Sequence, residues 1–109
     1  MKEIKAIIQP HRLDQVRDAL LALPAFPGMS VSRAEGCSAN DGTPRNRTWG
    51  AELTDFSPKV RIEMIAPDEL ADEIVRIIYD HTHTGRQGDG IVWVTEVVGF
   101  WRIKGERPG

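Results

Sequence analysis

The sequence predicts an α+β fold, because strand-like and helix-like patterns follow one another in the order β-α-β-loop-β-α-β. Short stretches of alternating or β-branched residues supply the strands, and two stretches with apolar residues at intervals of three and four supply the helices. The chain has 109 residues, which is the usual size of one domain. We therefore expect a single domain over 1–109.

The first half contains a strand, a helix and a second strand. Residues 4–8 are rich in β-branched side chains and end at Gln9-Pro10, as strands often do. Residues 29–34 alternate between apolar and polar, which is typical of a half-buried strand. Between them, the stretch 12–23 carries one apolar stripe at helical spacing: Leu13, Val16, Leu20 and Leu23.

The second half repeats this order. Residues 59–65 alternate as a strand, and Pro67 followed by two carboxylates favours the start of a helix. Residues 91–98 form the last long strand, which 100–104 are predicted to extend after a break at Gly99. The apolar stripe of the second helix comprises Leu70, Ile74, Ile77 and Ile78.

This order predicts a ferredoxin-like arrangement, in which two helices cover one face of a four-stranded antiparallel sheet. The other face would be uncovered in a monomer, and its apolar residues favour oligomerisation. Residues 36–57 show no period, and so long an irregular stretch is either functional or disordered. Its basic residues Arg45 and Arg47 lie beside Trp49, a combination suited to a partner surface or to a solvated loop.

Composition excludes several classes of protein. The formal charge of −2 and pI of about 5.9 lack the basic footprint of a general nucleic-acid binder. No apolar run reaches the roughly 18–20 residues that span a bilayer, and the N-terminus carries no signal-peptide core. The single Cys37 cannot form an intramolecular disulfide. The cytoplasm is therefore the expected location.

A glycine-rich segment at 84–90 is the sharpest local signal. Three glycines in six residues permit positive φ angles, successive amides there can form an anion-binding nest, and Arg86 adds charged donors. A plain connection is the alternative, since the segment is not a Walker A loop. Arg102 and Lys104 would project to one side of an extended segment and, with Lys59, could hold a polyphosphate.

Metal and catalytic signals are weaker. His81 and His83 flank a helix end, but fewer than three clustered ligands make a weak metal site, and we expect none. Cys37 has no base assigned to it. No serine elbow, zinc-protease helix or dinucleotide fingerprint occurs, so we expect no catalytic residues.

Four segments together resemble the PII nitrogen-regulatory family. Residues 1–20 resemble its opening strand and helix, 28–31 its second-strand entry and 55–63 the end of its long loop with the third strand. Residues 84–90 are similar to its B-loop. The resemblance covers nearly the whole chain except the long loop.

The resemblance implies a non-enzymatic regulator that forms a homotrimer. ATP and ADP compete for inter-subunit clefts, and the occupant sets the conformation of a T-loop (about 37–57) that docks on an enzyme, membrane transporter or transcription factor. The B-loop spans about 84–90 and the C-terminal segment about 99–109. One subunit would contribute Ile7, Gly36, Cys37, Lys59, Glu63, Met64 and Ile65. Its neighbour would contribute Gly28, Met29, Ser30, Gly88, Asp89, Gly90, Arg102 and Lys104. Arg86 of the B-loop is also an expected nucleotide contact.

Departures from the family pattern point to a divergent member. Ile91 stands where a basic residue follows the B-loop, and Lys104 stands where arginine is typical, so that ADP or AMP is expected to rival ATP. The T-loop tyrosine is absent, and the family's glutamine is replaced near Asn40. We therefore expect neither uridylylation nor 2-oxoglutarate sensing.

Two other functions remain open at this stage. One is a metal-responsive PII-like or CutA-like trimer linked to metal efflux, which the set of His81, His83 and Cys37 slightly favours. The other is a small ferredoxin-like phosphatase. The arginine-containing glycine loop of acylphosphatases is missing after the first strand, where Gln9-Pro10-His11-Arg12 stands.

Overall fold

The computed structural model of the protein describes residues 1–37 and 56–109. Four strands form one antiparallel sheet in the order β2-β3-β1-β4, which confirms the predicted ferredoxin-like α+β fold. In chain order the elements are β1 (Lys2–Ile8), a 3-10 turn (Pro10–Arg12), α1 (Leu13–Leu21), β2 (Ser30–Gly36), β3 (Ser57–Ala66), α2 (Asp68–Thr82) and β4 (Gly90–Glu96).

The core lies between the two helices and one face of the sheet. Alternation along the central strand β1 sends every second side chain inward, and the register places Ile4 beside Met64, and Ala6 beside Ile62. α1 adds buried residues at a spacing of four, and α2 adds them at spacings of three and four. The buried apolar residues are Ile4, Ala6, Ile8, Val16, Leu20, Val60, Ile62, Met64, Ala66, Ala71, Ile74 and Ile78.

The observed helix stripes differ slightly from the predicted ones. Leu70 and Ile77 are only partly buried, whereas Ala71 and Thr82 face the core. Thr82 is accommodated because its hydroxyl donates to the carbonyl of Ile78 at 2.7 Å. No helix in the described part of the chain has the length and apolar composition that a membrane span requires.

Within 1–37 and 56–109, no helix covers the second face of the sheet, as predicted, and this face is only partly apolar. The register places Lys5 between Glu63 and Trp93, so charged and apolar side chains alternate across it. Exposed apolar side chains concentrate instead on β4 and the segment that follows it. They are Ile91, Trp93, Val94, Val98, Phe100, Trp101 and Ile103.

The predicted strand extension over 100–104 is wrong. The last pair of the β1–β4 ladder joins Lys2 to Glu96, and the Val97 amide then donates to the carbonyl of Met1 at 3.2 Å. The β1–β4 ladder ends there, and residues 97–104 form no strand. The chain turns away instead.

Candidate functional site

The glycine loop 84–90 connects α2 to β4 and is organised by Asp89. Its carboxylate accepts hydrogen bonds from the Thr84 amide at 2.7 Å, the Thr84 hydroxyl at 2.5 Å and the Gly85 amide at 3.0 Å. These bonds, that of the Thr84 hydroxyl foremost, hold the pKa of Asp89 below its ordinary value because they stabilise the charged form. Asp89 therefore fixes the shape of the loop from within.

Three glycines of the loop adopt positive φ angles, as predicted. The requirement for glycine is strictest at position 90, because φ of Gly90 is +117° and a Cβ atom there would lie 2.0 Å from the carbonyl oxygen of Ile7. The loop thus enters β4 pressed against the backbone of β1. Gly85 has a φ of +81° but open space around it.

Lys59, near the start of β3, is held at both ends. Lys59 is only 8% exposed. The aliphatic part of its side chain passes over Gly36, so that a Cβ atom added to Gly36 would lie 3.0 Å from the lysine Cγ. Its ammonium group donates to the carbonyl of Gly88 at 3.2 Å. The Gln9 side-chain amide donates to the same carbonyl at 2.6 Å. A buried cation therefore lies against the glycine loop.

These groups border a cavity of about 310 Å³, which we call the glycine-loop cavity. It opens between β1, the end of β2, the start of β3 and the loop. Six of the predicted nucleotide contacts line it, together with Gln87 and Ile91. The six are Ile7, Gly36, Cys37, Lys59, Gly88 and Gly90.

A second cavity, of about 350 Å³, lies farther along β3, and we call it the Arg102 cavity. The Arg102 guanidinium donates to the carbonyl of Pro27 at 3.4 Å and lies 5.2 Å from the centre of the Phe100 ring. These contacts fold the C-terminal segment back towards the start of β2. The lining comprises Glu3, Pro27, Gly28, Met29, Ser30, Glu63, Met64, Ile65, Phe100 and Arg102.

The two cavities are separate within one chain. Lys59 lines the first and Glu63 the second, and four residues of extended strand place their Cα atoms about 13 Å apart. The structure thus groups Glu63, Met64 and Ile65 with the residues 28–30 and Arg102, and it groups the glycine loop with Lys59. This grouping differs from the division between subunits that the resemblance implies.

Three predicted contacts lie outside both cavities. Arg86 and Asp89 line a smaller cavity of about 160 Å³ towards the helices, with Arg12. Lys104 is exposed in a turn that the Gly105 amide closes on the Arg102 carbonyl at 2.9 Å. The inference that the two C-terminal cations project together from an extended segment therefore loses its basis.

Sequence reasoning missed Gln9 and Phe100. Gln9 had no sequence signal of its own, because only the antiparallel register, which pairs Ile8 with Gly90, brings it beside the loop. Phe100 had no sequence signal either, because the segment that brings it to the Arg102 cavity is irregular and its apolar residues show no helical or strand spacing. The predictions on 38–55, including Asn40, lie outside the described residues.

The two histidines proposed for a metal are engaged separately. Nδ1 of His81 lies 2.7 Å from the carbonyl oxygen of Ile77, and His83 stacks on Tyr79 with ring centres 4.7 Å apart. Within 1–37 and 56–109, no three His, Cys, Asp or Glu side chains are grouped so that they could hold a metal ion.

Fold and site together define a small ferredoxin-like protein whose candidate ligand residues are divided between two cavities. The family model described as "Nitrogen regulatory protein P-II" matches residues 1–107. The chain belongs to this P-II (PII) family, which confirms the resemblance seen in the sequence. Members of the family are regulatory signalling proteins that bind effector nucleotides such as ATP and ADP, generally form homotrimers and regulate partner proteins.

Curated relatives match along nearly their whole length. The chain is 38% identical over 110 residues to the nitrogen regulatory protein P-II of Azospirillum brasilense, covering 100% of this chain and 97% of the relative. It is 38% identical over 104 residues to the nitrogen regulatory protein P-II 1 of Escherichia coli K12, covering 95% and 92%. The protein of Haemophilus influenzae is 35% identical over 104 residues, with the same coverage.

Proposed function

We propose that the chain is a non-enzymatic regulator that binds ATP, ADP or AMP in clefts between the subunits of a homotrimer and controls a partner protein through its T-loop. One observation carries the proposal: most of the predicted nucleotide contacts lie in two separate cavities of the same chain. A second copy that presents its Arg102 cavity to the glycine-loop cavity of the first would complete each site.

The glycine-loop cavity suits the phosphates. The Lys59 ammonium has three N–H donors, and among the described residues it gives one, to Gly88, so that the other two could bind an anion. Because Lys59 is buried, water screens its charge less than at the surface. Ile91 on the cavity wall offers no charge to a third phosphate. This supports an affinity for ADP or AMP that is comparable to the affinity for ATP.

The Arg102 cavity suits the nucleoside. Met29, Met64, Ile65 and Phe100 supply apolar surface for a base, and strand-end backbone groups supply hydrogen-bond donors and acceptors. From this cavity Arg102 would reach the phosphates of the same nucleotide across the interface, and the exposed Lys104 would add a second charge. The exposed apolar side chains of β4 and the C-terminal segment give the assembly a surface to bury.

The T-loop joins the sheet at the rim of the glycine-loop cavity. Gly36 and Ser57 are paired in the register, and the Ser57 hydroxyl donates to the Gly36 carbonyl at 3.5 Å. Cys37, where the loop departs, lines the cavity. A ligand that contacts this rim can bind more tightly to one conformation of the T-loop than to another. A tenfold difference in affinity between the two conformations corresponds to about 1.4 kcal/mol.

Calorimetric titration with ATP, ADP and AMP tests the proposal, with light scattering to count the chains. We expect one nucleotide per chain in a particle of three chains. Lys59→Met should lower ADP affinity roughly 10- to 100-fold, because a hydrogen bond to a charged group contributes about 1.5–3 kcal/mol. Arg17→Gln, on the exposed surface of α1, is the control. Absence of binding by the wild-type protein with all three nucleotides would refute the proposal.

A further inference from the structure

Gln9 connects the end of β1 to the glycine loop. It follows the last residue of the strand and precedes Pro10, so its backbone position is fixed by the sheet on one side and by the 3-10 turn on the other. Its side-chain amide donates to the carbonyl of Gly88 at 2.6 Å, and the contact is partly buried.

The Gly88 carbonyl accepts from two side chains at once. A carbonyl oxygen has two lone pairs, and here Gln9 occupies one and the Lys59 ammonium the other. The Asp89 carboxylate bonds to Thr84 and Gly85 and not to this carbonyl, and Gly88, with a φ of +94° and no side chain, restricts rotation of the Gly88–Asp89 peptide less than another residue would. The two donors therefore set the direction in which this carbonyl points.

The direction of that carbonyl matters for an anion in the glycine-loop cavity. A carbonyl oxygen turned into the cavity would repel phosphate, whereas one held by Gln9 and Lys59 is neutralised by its donors. A Gly88 carbonyl fixed by Gln9 also gives the Lys59 ammonium a stationary acceptor. Two lysine N–H groups then stay free for the ligand.

We infer that Gln9 is a positioning residue for phosphate binding, which acts by fixing the Gly88 carbonyl and, through it, the Lys59 ammonium. Gln9 itself does not need to contact the nucleotide. The inference rests on the proposed function for the identity of the ligand, but the orientation of the loop can be measured without any ligand.

The test uses Gln9→Met, which keeps the length of the side chain and removes its donor, with Gln15→Met on α1 as the matched control. In the ligand-free protein, amide hydrogen exchange across 84–90 should accelerate in Gln9→Met and stay unchanged in the control. ADP affinity should fall roughly 3- to 10-fold, the effect of one lost hydrogen bond, while adenosine affinity stays unchanged. In a Lys59→Met background, Gln9→Met should have a smaller effect on ADP binding than in the wild type, because the part of its effect that acts through the lysine is already lost.

Unchanged loop exchange, or equal loss of ADP and adenosine affinity, would overturn the inference. So would an undiminished effect of Gln9→Met in the Lys59→Met background, because Gln9 would then act independently of the lysine. If the wild-type protein bound no nucleotide although Gln9→Met loosened the loop, the proposed function would fail. Gln9 would then have a structural role only, an outcome that the exchange data distinguish from the others.

Discussion

The two cavities differ in how the chain builds them. The glycine-loop cavity is formed by strand ends in fixed register and by a loop that Asp89 organises internally. The Arg102 cavity depends on irregular segments before β2 and after β4, joined by the Arg102 contacts to Pro27 and Phe100. Under the proposed function, the phosphates would bind in a cavity that the sheet preforms, and the nucleoside would bind in a cavity that depends on irregular segments.

The largest effect should come from Gly90→Ala. The new Cβ would lie 2.0 Å from the Ile7 carbonyl oxygen, and the φ of +117° is strained for any L-residue. Backbone strain and overpacking, each about 1–3 kcal/mol, should together lower the free energy of unfolding by about 3 kcal/mol or more. Denaturant unfolding measures this change.

Gly85→Ala is the matched control, since its Cβ would meet open space and only the strain of its φ of +81° remains. That strain is about 1–2 kcal/mol. Equal destabilisation by the two substitutions would contradict the view that the loop is pressed against β1.

Arg102→Lys should have an intermediate effect, on binding alone. Lysine keeps the charge but loses the planar fork, so ADP affinity should fall roughly 3- to 10-fold, the equivalent of about one hydrogen bond. The control is Arg76→Lys on the exposed side of α2. Calorimetry measures both, and an unaltered affinity in Arg102→Lys would exclude a forked contact with the ligand.

The smallest effect should be the loss, in acid, of the loop hydrogen bonds that the Asp89 carboxylate accepts. Hydrogen bonds lower the pKa of Asp89 in the folded state. The contribution of Asp89 to the stability of the folded loop is therefore fully present above the ordinary pKa of 3.8 and is lost as the pH falls through the folded-state pKa. Protection of the Thr84 and Gly85 amides from hydrogen exchange should therefore disappear in acid. Asp89→Ala should lack this protection at every pH, whereas Asp80→Ala should behave as wild type. Wild-type protection that is independent of pH would contradict the assignment.

Much of the fold could be predicted because periodicity reports burial. The spacing of Val16 and Leu20, and the alternation from Val60 to Met64, correspond to one covered face of the sheet. The extension over 100–104 failed for a reason outside the segment itself. Its residues suit a strand, but the β1–β4 ladder ends at the pair of Lys2 and Glu96, so within the described residues the segment has no strand to pair with.

The candidate site was predictable in part. The glycine loop stood out by composition, Lys59 and Arg102 were singled out as cations that could hold a polyphosphate, and the resemblance supplied most of the other residues that line the two cavities. Neither indicates how those residues are shared between cavities, because that depends on the register along β3. Gln9 was missed because a lone glutamine after a strand has no distinctive pattern until its partner Gly88 is placed beside it.

The central claim, that each nucleotide site joins the glycine-loop cavity of one chain to the Arg102 cavity of another, is tested most directly by mixing two defective variants. Lys59→Met and Arg102→Met homotrimers should each bind ADP weakly. Co-refolding them in equal amounts should restore wild-type affinity at about a quarter of the sites, where an intact lysine from one chain meets an intact arginine from its neighbour. If mixed trimers form and bind no better than either parent, both residues serve sites within one chain and the account is contradicted.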